Sequence, residues 1–263
     1  MMHLLLLAVL SSSASTETGP TLCSSAKEYV AVFEYLHSNK DLKVDGEQAR
    51  LLAEMASQSC TGSARRMIGI TELLTRSGLG AGDSLKIAKR YLSLSDEKAE
   101  AFQKVFIFCY AKDGLDLDLL RSISIAQDLA ADFEGDSEIA TRDFEQITKD
   151  CQDEIKGSID HCSQYAKRIS RLSKRFSESV AHPFLEALKF LHRSSRGPTL
   201  ELNKALALAE SIIESGGAQA FENYEGAFRY ARSESGLSFP NQKAMEFALK
   251  MAKRTIDPQS LKE

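Results

Sequence analysis

Apolar side chains recur at three- and four-residue spacing along most of this 263-residue chain. One such stripe, near the C-terminus, consists of Ala244, Phe247, Ala248, Met251 and Ala252. This period is that of an amphipathic α-helix with one buried face. The sequence has no sustained alternation of β-branched residues, which is the pattern typical of β-strands. We therefore predict an all-α fold.

Breaks in these stripes divide the chain into similar lengths. They contain Gly46, Gly78, Gly114, Gly157, Gly197 and Gly236, which are 32 to 43 residues apart. This spacing suits a pair of helices joined by a turn, and such a pair cannot bury its apolar face without stacked neighbours. The sequence predicts about six antiparallel helical hairpins in an α-solenoid-like stack, at residues 24–59, 61–94, 96–133, 137–177, 179–215 and 217–256. An irregular helical bundle is the alternative architecture.

Two of the breaks share a local pattern. Phe108–Lys112 leads to Gly114, and Phe228–Arg232 leads to Gly236 with two extra residues between. After each glycine, small side chains recur every four residues, at Ser122, Ala126 and Ala130 and at Ala244, Ala248 and Ala252. The pattern resembles tetratricopeptide-type repeats, and more specifically their less regular Sel-type relatives, over about a third of the chain. The Trp and the regularly placed Pro of that family are missing. The resemblance implies an adaptor with a concave groove for other proteins, and it identifies no binding residue.

The N-terminus carries an unbroken apolar run, Leu4–Leu10, followed by small residues that include Ser13 and Ser15. The run is too short to span a bilayer, whereas a short apolar core before small residues is typical of a cleaved secretory signal. We predict a signal peptide at residues 1–15 and a single helical domain at 16–263. This domain is expected to be exported, periplasmic or extracellular, and not membrane-spanning. Because Met1–His3 lacks Lys and Arg, an apolar tail or a misassigned start codon is the alternative.

The cysteines are compatible with export. Cys151 and Cys162 flank Gly157, so they reach matching heights if Gly157 is a turn between antiparallel helices. Cys23 and Cys60 form a second candidate pair. An odd total of five leaves at least one cysteine unpaired or intermolecular in an oxidising compartment. The alternative is that all five are small buried apolar residues.

Charge is segregated along the chain. Residues 113–160 contain fourteen Asp or Glu against four Lys or Arg, whereas residues 163–196 contain eight Lys or Arg against two Glu. Helical spacing places one basic cluster on a single face, which consists of Lys167, Arg168, Arg171, Lys174 and Arg175. This face is a candidate contact for a partner's acidic surface, an anionic polymer or a phosphate group, and a solvated face is the alternative. The net charge of −4 and the few interleaved aromatics disfavour a nucleic-acid partner.

Two segments contain residue types found in metal sites. The acidic run Asp132–Glu138, with Asp143 beyond it, superficially resembles a calcium loop, but its glycine is at the fourth place rather than the sixth. Cys151, His161 and Cys162 are possible zinc ligands, but no fourth ligand has the usual spacing. A helix N-terminus at Asp136 and a disulfide explain the same residues. We predict no metal site and no cofactor.

One segment suggests catalysis. Ile212–Gly217 is similar to the start of the catalytic motif of lytic transglycosylases, in which a Glu at a helix end is the general acid. The resemblance covers about six residues, and the downstream Gly-Leu-Met-Gln element is absent. It implies that Glu214 is the acid, with a pKa raised by an apolar pocket. A helix C-terminus with a glycine cap is the alternative interpretation.

These features favour a function in binding. The preferred hypothesis is an exported, non-catalytic helical scaffold of the cell envelope or the extracellular space. Its expected partner is another envelope or secreted protein, or an anionic polymer. The alternative hypothesis is a peptidoglycan-cleaving enzyme of the lytic transglycosylase type that uses Glu214.

Overall fold

A computed structural model describes residues 25–59, 62–132, 137–176 and 178–254 of the chain. These residues form twelve α-helices and one 3-10 turn at Lys40–Leu42, with no strand among them, so the predicted all-α class is confirmed. The helices are α1 (Ala26–Ser38), α2 (Gly46–Gln58), α3 (Ser63–Arg76), α4 (Ala81–Lys89), α5 (Asp96–Tyr110), α6 (Leu119–Asp132), α7 (Ser137–Ile155), α8 (Ile159–Phe176), α9 (Ala181–His192), α10 (Leu202–Glu214), α11 (Gly217–Arg232) and α12 (Asn241–Lys253).

Consecutive helices pair as stacked hairpins. Each helix has its most extensive contacts with the other helix of its hairpin. Hairpins 1 to 6 are α1–α2, α3–α4, α5–α6, α7–α8, α9–α10 and α11–α12. Each odd-numbered helix also packs against the next odd-numbered helix, so α1, α3, α5, α7, α9 and α11 form one continuous row. The predicted stack of helical hairpins is therefore the observed architecture.

Small side chains allow the two helices of a hairpin to approach closely. In α12, Ala244, Ala248 and Ala252 are completely buried, and Ala126 and Ala130 occupy the same kind of stripe in α6. The odd-numbered helices supply larger side chains, such as Phe102 in α5 and Phe184 in α9. Close packing of large against small side chains excludes water and supplies most of the stability of the fold.

Three hairpins are closed by turns of the same kind, of which the one in hairpin 5 is one residue longer. A Cβ placed on Gly114, Gly197 or Gly236 would lie 1.9 Å from the carbonyl oxygen of Phe108, Phe190 or Tyr230, respectively. The residue two positions after each glycine has a positive φ, at Asp116, Thr199 and Ser238. Only glycine allows such an approach of two backbone segments, which explains why glycines mark these breaks.

The shared turn corrects the register of the repeat seen in the sequence. In hairpin 3 the Leu115 N–H donates to the Phe108 carbonyl, and in hairpin 6 the Leu237 N–H donates to the Tyr230 carbonyl. Phe108 is therefore equivalent to Tyr230 rather than to Phe228. The sequence comparison aligned Phe108 with Phe228 and therefore inferred two extra residues before Gly236. With Phe108 aligned to Tyr230, the two segments have the same length and there are no extra residues.

The turn between α7 and α8 carries the predicted disulfide. Cys151 and Cys162 are bonded, with their Cα atoms 5.7 Å apart and both side chains buried. A Cβ on Gly157 would lie 2.6 Å from the Cys162 sulfur, so the residue beside the bridge must be small. Cys109 is a buried free thiol, and burial raises its pKa to about 12.

Some predictions concern residues that are not described. The signal peptide at 1–15, Cys23 and Cys60 lie outside the described residues. Within the described ranges, no helix combines the length and the apolar character needed to cross a bilayer.

The shared turn makes a prediction about stability. Gly236→Ala is expected to lower the free energy of unfolding by about 1 to 3 kcal/mol, because the new Cβ meets the Tyr230 carbonyl oxygen. Gly226→Ala is the control within the same hairpin. Nothing lies within 4 Å of its Cβ, so this change is expected to raise the stability of α11 by about 0.5 to 1 kcal/mol. Urea denaturation measures both, and equal effects would contradict the assignment of the turn.

The disulfide makes a second prediction. Replacement of Cys151 and Cys162 by Ala is expected to lower the stability of the oxidised protein by about 3 kcal/mol, because the bridge closes a loop with a sequence separation of 11. With reductant present throughout denaturation, the two proteins should have similar midpoints. Identical midpoints under oxidising conditions would show that the bridge does not stabilise the fold.

Candidate functional site

The basic face predicted from the sequence lies on α8, where its residues contact neighbouring hairpins. Arg168 binds both carboxylate oxygens of Glu210 on α10 at 2.8 Å, and its guanidinium lies 4.4 Å from the centre of the Tyr165 ring. The Lys167 ammonium is 3.4 Å from Asp128 on α6. Several charges of this face therefore join hairpin 4 to hairpins 3 and 5.

The remaining basic residues are at the C-terminal half of α8. Arg175 donates to the backbone carbonyl of Glu214 at 3.0 Å. The Arg171 side chain is exposed, but it is not without an interaction partner. The Lys174 side chain lies outside the described part of the structure. The anion contact predicted for this face stays a prediction.

Glu214 is the last residue of α10, and its side chain is exposed. Its backbone carbonyl serves as the acceptor for Arg175. A general acid of the transglycosylase type needs an apolar pocket that raises its pKa, and Glu214 does not line any of the five most prominent grooves of the described residues. The catalytic role considered for Glu214 stays a hypothesis.

The residues considered for metals have other partners. Cys151 and Cys162 are joined to each other, and the His161 ring lies 3.1 Å from the Ser158 hydroxyl. Asp143 is completely buried, and its carboxylate accepts hydrogen bonds from Ser173, Ser179 and Val180. Residues 133–136 of the acidic run are outside the described ranges, and within those ranges no three His, Cys, Asp or Glu side chains form a group that could hold a metal ion.

Asp143 instead fixes the junction between hairpins 4 and 5. Its carboxylate accepts hydrogen bonds from the Ser173 hydroxyl at 2.5 Å, the Ser179 hydroxyl at 2.6 Å and the Val180 N–H at 2.9 Å. Val180 is the residue directly before α9, so a side chain of α7 caps the next odd-numbered helix.

Buried charges connect hairpins 1, 2 and 3 in the same way. Glu28 on α1 accepts from the Ala64 N–H at 2.7 Å, the Gly62 N–H at 3.2 Å and the Ser63 hydroxyl at 3.1 Å, all at the start of α3. Arg66 on α3 donates to the carbonyls of Tyr91 and Leu92 and binds Asp96 at the start of α5. Sequence analysis did not identify these residues, because a charge on an amphipathic helix is normally exposed.

The row of odd-numbered helices carries two grooves at equivalent positions. One, of about 300 Å³, is lined by Lys104, Ile107, Phe108 and Ala111 at the end of α5, by Asp113 and Gly114 of the following turn, and by Glu145 of α7. The other, of about 440 Å³, is lined by the equivalent residues Glu186, Lys189 and Phe190, and also by Ile155, Arg193, Ser194, Phe221, Glu225 and Arg229. No even-numbered helix contributes a residue to either groove.

The larger groove, which we call the α9–α11 groove, has an aromatic floor and a charged rim. Phe190 and Phe221 lie edge to face with ring centres 6.2 Å apart, and the Arg229 guanidinium lies 5.9 Å from the Phe190 ring. Arg229 pairs with Glu225, and Lys189 pairs with Glu186. Arg193 is exposed at the edge, and no carboxylate of the described residues pairs with it.

The smaller groove differs in its charge. Its Glu145 is half buried, and burial raises the pKa of this carboxyl while the nearby Lys104 acts to lower it. Its charged residues are two acids, Asp113 and Glu145, against one base, Lys104, so the excess charge of the smaller groove is negative. The two grooves therefore share their position in the repeat but not their chemistry.

Comparisons of this chain with protein-family models, with curated proteins and with solved structures find no match.

The cap formed by Glu28 makes a prediction about pH. Burial acts to raise the pKa of Glu28, but the hydrogen bonds from Ala64, Gly62 and Ser63 outweigh it and hold the pKa below its usual value. A depressed pKa stabilises the fold above the pKa of the unfolded chain, about 4.3, and this contribution is lost as the pH falls through the folded pKa. Glu28→Gln is therefore expected to cost about 1.5 to 3 kcal/mol at pH 7 and much less near pH 3.

The control for this prediction is Glu34→Gln, on the exposed side of the same helix. It is expected to change the stability at pH 7 by less than about 0.5 kcal/mol. Urea denaturation between pH 3 and pH 7 measures both variants. A deficit of Glu28→Gln that stays constant over this range would show that the cap does not depend on the ionised carboxylate.

Proposed function

We propose that the chain is a non-catalytic interaction scaffold, exported to the periplasm or the extracellular space, which holds a segment of a partner protein in the α9–α11 groove. The observation that carries this proposal is the groove itself. It combines an aromatic floor with an arginine that no carboxylate of the described chain neutralises. A stack of hairpins supports such a groove on rigid helices, and this suits binding of another protein.

The chemistry of the groove indicates what the segment contains. Arg193 offers a planar guanidinium suited to bidentate binding of a carboxylate. Phe190 and Phe221 form an apolar floor within the same groove. We expect a partner segment in which an Asp or Glu lies beside an apolar or aromatic side chain. Aromatic and arginine side chains are also the residue types that contribute most to protein interfaces.

Two features support an exported location. The Cys151–Cys162 disulfide is a covalent bond that persists in oxidising compartments and is rare in reducing ones. The apolar run Leu4–Leu10 followed by small residues is the pattern of a secretory signal. The proposed scaffold therefore meets its partner outside the cytoplasm.

The proposal is tested by affinity capture from an extract of envelope and secreted proteins. The bait is the mature chain, residues 16–263, and the captured proteins are identified by mass spectrometry. Arg193→Glu is expected to reduce recovery of the partner at least tenfold, because it removes the unpaired guanidinium and adds a repelling charge. Arg196→Glu is the matched control, since it changes the same charge three residues away without lining the groove.

Two further variants separate the competing hypotheses. If Arg171→Glu abolishes capture and Arg193→Glu does not, the partner binds the basic face of α8 and the groove assignment is wrong. Release of soluble fragments from peptidoglycan, abolished by Glu214→Gln, would replace the scaffold proposal by the enzyme hypothesis. A partner that is lost only with Arg193→Glu, without fragment release, supports the proposal.

A further inference from the structure

We propose that the outer face of hairpin 6 is a second docking surface, which holds an α-helix of a partner protein laid against α11 in the position of a seventh odd-numbered helix. This surface, which we call the end face, is separate from the α9–α11 groove. The inference does not depend on the function proposed for that groove.

The first evidence is an aromatic residue that occurs at the same position in three hairpins and is covered by a following helix in two of them. Phe108, Phe190 and Tyr230 are equivalent, because each carbonyl receives the close approach of a turn glycine. Phe108 packs edge-on against Phe144 of α7, with ring centres 6.3 Å apart. Phe190 packs against three rings of α11 and is only 5% exposed. Tyr230 is 55% exposed, because no odd-numbered helix of the described chain follows α11.

The second evidence is the shape of the end face. It contains a groove of about 590 Å³ with an apolar floor formed by Ala227, Tyr230, Phe247 and Met251. Gly226 lies in the middle of α11 at the equivalent of Lys104 and Glu186, and it opens directly into this groove. An added Cβ on Gly226 would meet nothing within 4 Å.

Gly226 lowers the stability of α11, and no contact within the described chain requires a glycine there. A glycine in a helix interior is less favourable than alanine, because it loses more backbone freedom on folding. At a contact between helices, however, the absence of a side chain lets two backbones approach closely. A helix crossing α11 at Gly226 would use this space and would cover Tyr230 at the same time.

The interfaces between hairpins identify the occupant as a helix. Both covered equivalents, Phe108 and Phe190, are covered by an odd-numbered helix that carries aromatic side chains, and the end face continues this row of interfaces. Its charged residues are one acid, Glu222, and one base, Arg254, so neither sign dominates. We therefore expect an amphipathic helix with an apolar stripe that includes an aromatic residue, rather than a polyanion.

The test is selection from a displayed library of 18-residue peptides with helical apolar patterning, using the mature chain as the target. The selection uses the wild-type chain only, and the Gly226→Glu variant is kept for the affinity measurements. This variant should fold, because it replaces a helix-interior glycine at an open position by a better helix former. The affinities of the enriched peptides are then measured against Gly226→Glu, Tyr230→Ala and Leu120→Gln. Leu120 is the control, an exposed leucine on α6 that lies outside the end face.

We expect enriched peptides with an aromatic residue in the apolar stripe. Their affinity should fall at least tenfold with Gly226→Glu and with Tyr230→Ala, and it should be unchanged with Leu120→Gln. Enrichment of no peptide, or of peptides that bind all three variants equally, overturns the proposal. Sedimentation that shows self-association of the wild-type chain, abolished by Gly226→Glu, also overturns it, because the occupant is then a second copy. Binding that appears only after removal of residues 255–263 would assign the face to the chain's own terminus and would overturn it too.

Discussion

The architecture depends on buried charged side chains that bind the backbone at the start of the next hairpin. Glu28, Arg66 and Asp143 each project from an odd-numbered helix and satisfy polar groups at the N-terminus of the following odd-numbered helix or in the link before it. A helical hairpin has one apolar face and can stack in several orientations with similar burial. A buried charge with two or three fixed partners permits only one of them, because any other orientation would leave the charge unsatisfied.

The sequence predicted the helices, the turns and the disulfide, because these depend on residues that are close together along the chain. Helical periodicity and the glycines at the turns depend on neighbouring residues only, and the bridge across Gly157 follows from the symmetry of a single turn. The junctions were not predictable in the same way. Glu28 and Ala64 are far apart along the chain, and no pattern in the sequence distinguishes a buried glutamate on α1 from the exposed Glu34 on the same helix.

The same limit applies to the candidate site. The basic residues of α8 were recognised as a cluster, but their acidic partners on α6 and α10 are known only once the hairpins are stacked. The α9–α11 groove was missed because it combines residues from three helices, none of which carries an unusual composition. The repeat register was also two residues out in the sequence alignment, so the equivalence of Phe108, Phe190 and Tyr230 emerged only from the hydrogen bonds of the turns.

The contacts between hairpins also differ in how they respond to salt. Hairpins 1, 2 and 3 are joined by the buried Glu28 and Arg66, which dissolved ions screen weakly. Hairpins 3 and 4 are joined through the more exposed pairs of Arg121 with Asp160 and Lys167 with Asp128. Rising ionic strength therefore weakens the polar contacts at the centre of the stack more than those at its N-terminal end. At this central junction the electrolyte therefore acts on the ion pairs alone, and the apolar contact between Phe108 and Phe144 holds hairpins 3 and 4 together whatever the salt concentration.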